Sequence, residues 1–416
     1  MSDSLRSLYV CYLSLEDPLV ETQVVAYLEG LAARGHTIHL LTFEPKLEPK
    51  LDAARRRQLA ADLAGRGIAW HSLRYHKRPS LPATVFDALV GALVAARLVR
   101  RHRLDAVHAR SHVPAAMGLI AKQLTGCRLI FDIRGLMADE YVDAGRWPRG
   151  GIAQRITERV QRAAIARSEA QVVLTERVRD DLFSAPEREW VTVIPCCADL
   201  DRLDGEEAAI EGVRSRLGLD GRSVMVYVGK LTEPYMDREM VEFFAAARLQ
   251  DPRLALLVLT QADGASIVAE LRRAGVKASD YRVTSATPDE IGAHLGLADF
   301  AICFCRPTRA RIASSPTKIG EYLAAGLPVA SGPRIGDVDA LLSGHEAGVI
   351  VDRFAEPSYE RAATRIRELA DDPACRARCR ALARRSFSLA EVGIPRYDRL
   401  YRRVAASAGP GPGGIR

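Results

Sequence analysis

Ser314-Ser315-Pro316-Thr317-Lys318-Ile319-Gly320-Glu321-Tyr322-Leu323-Ala324-Ala325-Gly326-Leu327-Pro328-Val329-Ala330-Ser331-Gly332 is the stretch from which the architecture can be read. Its order is loop, short helix, tight turn and buried strand. Ser315 suits an N-cap and Pro316 the first helical position, where a missing N–H costs nothing. Gly326 stands where a helix end needs positive φ, and Pro328 prevents continuation. The apolar run 298–304 before it has the character of a buried parallel strand. Loop 305–315 then lies beyond the carboxyl end of a strand, the ligand edge of an open α/β sheet. The helix start formed by Ser315, Pro316, Thr317 and Lys318 exposes unpaired N–H groups that attract phosphate. Thr317 and Glu321, four apart, share a helix face. A carboxylate one turn inside suits the hydroxyls of a sugar diol better than a phosphate. The plain alternative is a capping serine and a solvated helix acid.

Working outward, the same alternation of apolar strand and helix fills the chain. Strands are expected at 8–13, 38–43, 67–73, 105–109, 128–133, 170–174 and 191–194, with helices between them. The turn-rich "PCCADLDRLDG" (195–205) follows and marks a domain boundary. A second series has strands at 224–229, 254–260, 280–284, 298–304 and 348–351, then helices at 357–370, 372–386 and 389–404. The fold class is therefore α/β, with two doubly wound parallel sheets. A dinucleotide site of the G-x-G-x-x-G kind is excluded after the first strand, because "SLEDPLVETQ" has no glycine.

The 416 residues suit two domains of ordinary size. Aromatics make up only 6%, which argues against a single-strand nucleic-acid binder built on stacking. An excess of 59 Lys+Arg over 52 Asp+Glu favours an anionic partner without naming one. The eight cysteines include no CxxC pair, so no zinc site of that kind is expected, and reduced thiols fit the cytosol. The amino terminus lacks a signal-peptide pattern. Segment 81–99 comes nearest to a membrane span but carries Asp87 and Arg97, so a buried helix is expected.

Candidate ligand residues collect at strand ends. Gly229 lets a ligand approach the backbone, and Lys230 after it can neutralise a diphosphate. Val283 and its neighbours could wall a nucleobase. His108, Arg110 and His112 end one strand, and Asp132, Arg134 and Gly135 the next; for a lone histidine there a structural role is the commoner one. Segment 136–150 reads as a long polar loop facing an acceptor. Asp337-Val338-Asp339 opens a helix after Gly336, where acids complement the dipole, and no metal is assigned to it.

"ASSPTKIGEYLAAGLPVASG" (313–332) resembles the nucleotide-sugar signature of family 4 glycosyltransferases, retaining enzymes of GT-B fold. The resemblance implies two Rossmann-like domains facing a central cleft. They are an acceptor domain at 1–199 and a donor domain at 200–386, with a terminal helix, 387–404, crossing back to the first and a flexible tail, 405–416. It implies that Glu321 binds the donor ribose and that Lys230 meets the diphosphate. The family's other glutamate position is Ala313 here, its usual second lysine is Tyr235, with Arg238 the nearest basic residue, and its sugar-contacting histidine is Arg134. The implied donor is a nucleotide-diphosphate sugar, UDP- or GDP-linked, with no cofactor. The implied acceptor is a glycan, a lipid-linked sugar or a small-molecule hydroxyl, as in bacterial polysaccharide or glycoconjugate synthesis. Basic runs at 97–103 and at His76-Lys77-Arg78 resemble the membrane-facing surfaces of members that glycosylate lipid-linked sugars, although a solvated helix end is the commoner explanation of such runs. The expected location is cytoplasmic or peripheral on the inner face of the membrane, with no nucleic-acid partner. A nucleotide-sugar 2-epimerase and a non-catalytic sugar-nucleotide-binding protein share these features and stay open.

Overall fold

The computed structural model describes residues 4–45, 53–76, 78, 80–232 and 234–407. The chain forms two compact units, residues 1–194 with 393–416, and residues 195–392. Lys77 of the basic run and the tail beyond Ser407 lie outside the described residues.

The first unit carries a parallel sheet of β1 (Arg6–Cys11), β2 (Thr37–Pro45), β3 (Ile68–Tyr75), β4 (Ala106–Arg110), β5 (Arg128–Ile133), β6 (Ala170–Val173) and β7 (Val191–Val193). Their spatial order is β3-β2-β1-β4-β5-β6-β7. The second unit carries β8 (Val224–Val228), β9 (Ala255–Leu259), β10 (Tyr281–Thr284), β11 (Phe300–Cys303), β12 (Val329–Ser331) and β13 (Gly348–Ile350). Their order, β10-β9-β8-β11-β12-β13, repeats the first. The central strands, β1, β2, β4, β5, β6, β8, β9, β11 and β12, are mostly buried apolar residues because helices cover both faces, whereas β3, β10 and β13 towards the sheet edges are only partly buried. In each sheet the winding reverses once, between β1 and β4 and between β8 and β11. Loops leaving the carboxyl ends of two such strands diverge, and the gap between them is where an open α/β sheet binds ligands.

The last helix, Ile394–Ala406, belongs to the first unit. Ile394, Tyr397, Leu400, Tyr401 and Val404 are buried along one stripe, as an amphipathic helix requires. The helix runs to Ala406, so residues 405 and 406, expected in the tail, are its last turn.

The Ser80–His102 helix is, among the described residues, long and apolar enough by length and composition to cross a membrane. One face of it nevertheless packs into the unit's interior. Ala83, Asp87, Gly91, Ala92, Ala95, Ala96, Leu98 and Val99 are buried, and a Cβ on Gly91 would sit 2.9 Å from the Phe43 ring. The buried Asp87 carboxylate accepts hydrogen bonds from the Tyr12 hydroxyl at 2.7 Å and the His76 N–H at 2.9 Å.

Segment 136–150 is not all loop. Met137–Asp143 is a helix, with Asp139 and Glu140 in its first turn, where acids complement the dipole. Between β10 and β11 the helix begins at Ile291, and Glu290 before it turns back to accept from the Thr287 N–H and hydroxyl, both at 3.0 Å.

Candidate active site

In the second unit the winding reverses between β8 and β11. Gly229 leaves β8 at φ +123, a conformation open to glycine, and its N–H donates to the Leu259 carbonyl at 2.8 Å. The loop after it is tied to the loop after β11, through the Met236 N–H to the Phe304 carbonyl and a Tyr235–Cys305 bridge.

Lys318 projects from the Thr317–Ala324 helix into this junction and is only 8% exposed. Its Nζ donates to the Tyr227 hydroxyl at 3.0 Å. The ammonium lies 4.2 Å from the Tyr227 ring centroid and 3.6 Å from that of Tyr235, so both rings offer it their electron-rich faces. A Cβ on Gly229 would approach the same Nζ to 2.9 Å. The Tyr227 hydroxyl in turn donates to the Lys230 carbonyl at 2.9 Å, and the Tyr322 hydroxyl accepts the Val228 N–H at 2.7 Å. Tyrosines thus fix the loop at both ends of Gly229. Among the described residues no carboxylate is ion-paired with Lys318. Burial pushes its ammonium below the usual lysine range, opposed by Cys303, Cys305 and Glu321.

Glu321 is half-buried one turn further on, on the face it shares with Thr317. Burial pushes its carboxyl up and Lys318 pulls it back. Ser315, Pro316 and Thr317 are half-buried beside it, while Ala313 is buried in the preceding turn.

Ser315 is not the helix cap. Pro316 is held extended at ψ 120, so the helix starts at Thr317, and the Ser315 hydroxyl accepts the Cys196 N–H at 3.1 Å. Lys230 follows Gly229 with an exposed side chain. Arg238 is not brought into the group: it is exposed and paired with Glu242 at 2.9 Å along its own helix. Val283 lies in β10, one residue before its end, and packs on Gly264, where a Cβ would come within 2.5 Å of its Cγ1. Asp339 accepts the Arg334 N–H at 3.0 Å, and Asp337 stands at the cap of the Val338–Gly344 helix. Tyr227, Tyr235 and Tyr322 were not among the expected site residues. The signal for Tyr235 was an aromatic in place of a base beside a lysine-bearing helix.

Arg134 stands at the end of β5 in the first unit. Its guanidinium lies 3.7 Å from the Asp132 carboxylate and donates to the Gln23 side-chain oxygen at 3.4 Å. Burial pushes Asp132 up, but Arg134, His108 and Arg110 outweigh it and hold the carboxyl below its usual range. The Tyr397 hydroxyl donates to Asp132 at 2.9 Å, and His108 Nδ1 meets the Tyr401 hydroxyl at 2.8 Å. His112 meets the Gln161 side chain at 2.8 Å. These two histidines are therefore architectural, one of them holding the last helix. Where the first sheet reverses, between β1 and β4, a cavity of about 460 Å³ opens. Tyr12, Arg110, Val85, Ile156, Tyr141 and Trp147 are among its walls, the last two supplied by segment 136–150 and in ring contact at 4.4 Å.

Residues 20–202 match the family described as Glycosyltransferase Family 4. No curated protein matches by sequence. Among solved structures, a glycosyltransferase from Rickettsia africae ESF-5 is similar at 13% identity and TM-score 0.70, covering 98% of this chain and 100% of its own. Anabaena Alr3699/HepE, solved in complex with UDP-glucose, is similar at 14% identity and TM-score 0.65, over 95% and 99% of the two chains. WaaG, a glycosyltransferase involved in lipopolysaccharide biosynthesis, is similar at 15% identity and TM-score 0.64, over 96% and 100%. At these identities the structures speak for the fold, which is that of GT-B enzymes, and over residues 20–202 the sequence itself is similar to glycosyltransferase family 4.

Proposed function

We propose that this glycosyltransferase binds a nucleotide-diphosphate sugar, UDP- or GDP-linked, where the second sheet reverses. The sugar is transferred with retention of configuration to a hydroxyl on an acceptor with an apolar part. The observation that carries the donor reading is Lys318, a buried ammonium with tyrosine rings and a hydroxyl around it and, among the described residues, no carboxylate paired to it. Burying a charge is costly unless something compensates. A diphosphate seated against Gly229 would be that compensation, with the N–H groups at Thr317 and Lys318 and the exposed Lys230 completing its cradle. Negative charge growing on the leaving diphosphate would be met by groups already in place, which is how such donors lower a barrier. Glu321, one turn inside, has the chemistry to accept from a ribose diol. HepE, similar in fold, was solved with UDP-glucose, which supports the class of donor.

The acceptor reading rests on the cavity of the first unit, lined by Tyr12, Val85, Tyr141, Trp147 and Ile156. Leu81, Val85, Phe86, Leu89 and Leu93 continue as an exposed apolar strip on the Ser80–His102 helix, and Arg100 and Arg101 close that helix. An apolar strip followed by bases suits a lipid-linked acceptor met at an anionic membrane surface, as in the synthesis of bacterial polysaccharides or glycoconjugates. The test is transfer from UDP- and GDP-sugars to polyprenyl-linked and free saccharides, with the product's anomeric configuration read by NMR. Retained configuration on the lipid-linked acceptor is expected. Turnover of donor to a new nucleotide-sugar without acceptor would replace this reading by an epimerase. Donor binding without turnover would replace it by a binding protein.

A further inference from the structure

Three imidazoles meet at the amino edge of the first sheet, the edge opposite the one where β1 and β4 part. β2 and β3 are parallel with His39 opposite Ala69 and Leu41 opposite His71, so both histidines project to one face on a diagonal. That face is covered by the Ser80–His102 helix, as the approach of Gly91 to Phe43 shows. A crossover helix runs back against its strands, so its carboxyl end returns to their amino edge. His102 is the last residue of that helix and is delivered there. The outcome is one ligand atom from each of His39, His71 and His102, all within 4.8 Å of one another. His39 Nδ1 and His71 Nε2 are 2.9 Å apart with their rings stacked at 5.2 Å, and the His102 ring centroid is 4.5 Å from that of His39.

We propose that His39, His71 and His102 form a three-imidazole site for one first-row divalent ion of the zinc class. Imidazole nitrogens are the ligands such ions favour, and three of them leave an open position for water. Zn–N bonds of about 2.0–2.1 Å place tetrahedral ligand atoms about 3.3 Å apart, so the His39–His71 pair at 2.9 Å opens by a few tenths of an ångström and His102, with ligand atoms within 4.8 Å, swings in by up to about 1.5 Å. The carbonyl end of the helix favours a cation, while Arg101 opposes it. His39 is buried, His71 half-buried and His102 exposed, so the ion has a way in. Bound there, it would tie β2, β3 and the Ser80–His102 helix together and stabilise the first unit by mass action.

The test uses chelator-stripped full-length protein titrated with Co²⁺ and with Zn²⁺. One equivalent of Co²⁺ should give ligand-field absorption of a nitrogen and oxygen set without thiolate charge-transfer bands. Zn²⁺ should raise the unfolding midpoint followed by tryptophan fluorescence, because Trp70, Trp147 and Trp190 all lie in the first unit. His102→Gln changes an exposed side chain, leaves the fold in place, and should weaken binding at least about tenfold, as should His71→Gln. Absence of stoichiometric binding, a thiolate signature that moves the ion to cysteines, or equal affinity in the variants would each overturn the proposal.

Discussion

Lys318 is hard to explain as architecture alone. A buried ammonium contributes little to stability relative to an apolar side chain of the same length, and its replacement is often neutral or stabilising. Lys318→Met should therefore leave the denaturation midpoint unchanged or raise it, even as donor affinity falls. A fall in the midpoint by several degrees would make the lysine a structural element instead. Gly229 tests the same junction from the other side. Its φ of +123 is strained for any other residue, and a Cβ there would meet Lys318 Nζ at 2.9 Å. Gly229→Ala should cost about 1–3 kcal/mol in urea denaturation and displace the ammonium, weakening donor binding as well. An alanine variant of wild-type stability and affinity would contradict that placement.

At the scale of elements, the Ile394–Ala406 helix is held to the first sheet by two hydroxyls rather than by its apolar stripe alone. Tyr397→Phe would leave the buried Asp132 carboxylate without its donor. The expected loss is about 1.5–3 kcal/mol, the range for a hydrogen bond to a charged group. Tyr401→Phe, which removes a partner of His108, should cost about 0.5–1.5 kcal/mol. Chemical denaturation followed by tryptophan fluorescence measures both, and the reverse ranking would show that Asp132 is not the group that matters. Most elements were legible in the sequence because parallel strands buried on both faces read as apolar runs whatever surrounds them. The Thr317–Ala324 helix was legible for the same reason, along with Gly326 and Pro328. Its start was missed by one residue, since nothing local says that the Ser315 hydroxyl is claimed by the distant Cys196 N–H. The Met137–Asp143 helix was hidden by its polarity. His39, His71 and His102 left no trace at all, being brought together only by strand register and the return of a crossover helix. Lys318 was recognised as part of a helix start, yet its burial between two tyrosines depends on a contact between segments about ninety residues apart, which no local pattern encodes.

At the scale of the whole molecule, the two units should differ in their response to acid. His36, His39, His71, His108 and His112 are all held below the usual histidine range, chiefly by burial, and all lie in the first unit. A histidine lowered in the folded state binds fewer protons there than when unfolded, so stability rises with pH and falls as pH drops below about 6.5. Each such group contributes up to about 1.4 kcal/mol per pH unit until its folded-state value is reached. Asp132 is also lowered, and its contribution is lost further into acid, as pH falls through its depressed folded-state value. Tryptophan fluorescence, which reports the first unit alone, should therefore lose its thermal midpoint faster between pH 7 and 5 than far-ultraviolet circular dichroism, which reports both. Parallel declines in the two signals would rule out this unit-specific burial.

The central claim is that a nucleotide-diphosphate sugar is bound through Lys318 and Glu321. Isothermal titration calorimetry of UDP- and GDP-sugars into the full-length protein, Lys318→Met and Glu321→Gln tests it most directly. The account predicts selective binding by the wild type and a loss of roughly 10- to 150-fold in each variant, the equivalent of one charge-assisted hydrogen bond of about 1.5–3 kcal/mol. Wild-type affinity in both variants, with the fold intact, would contradict it.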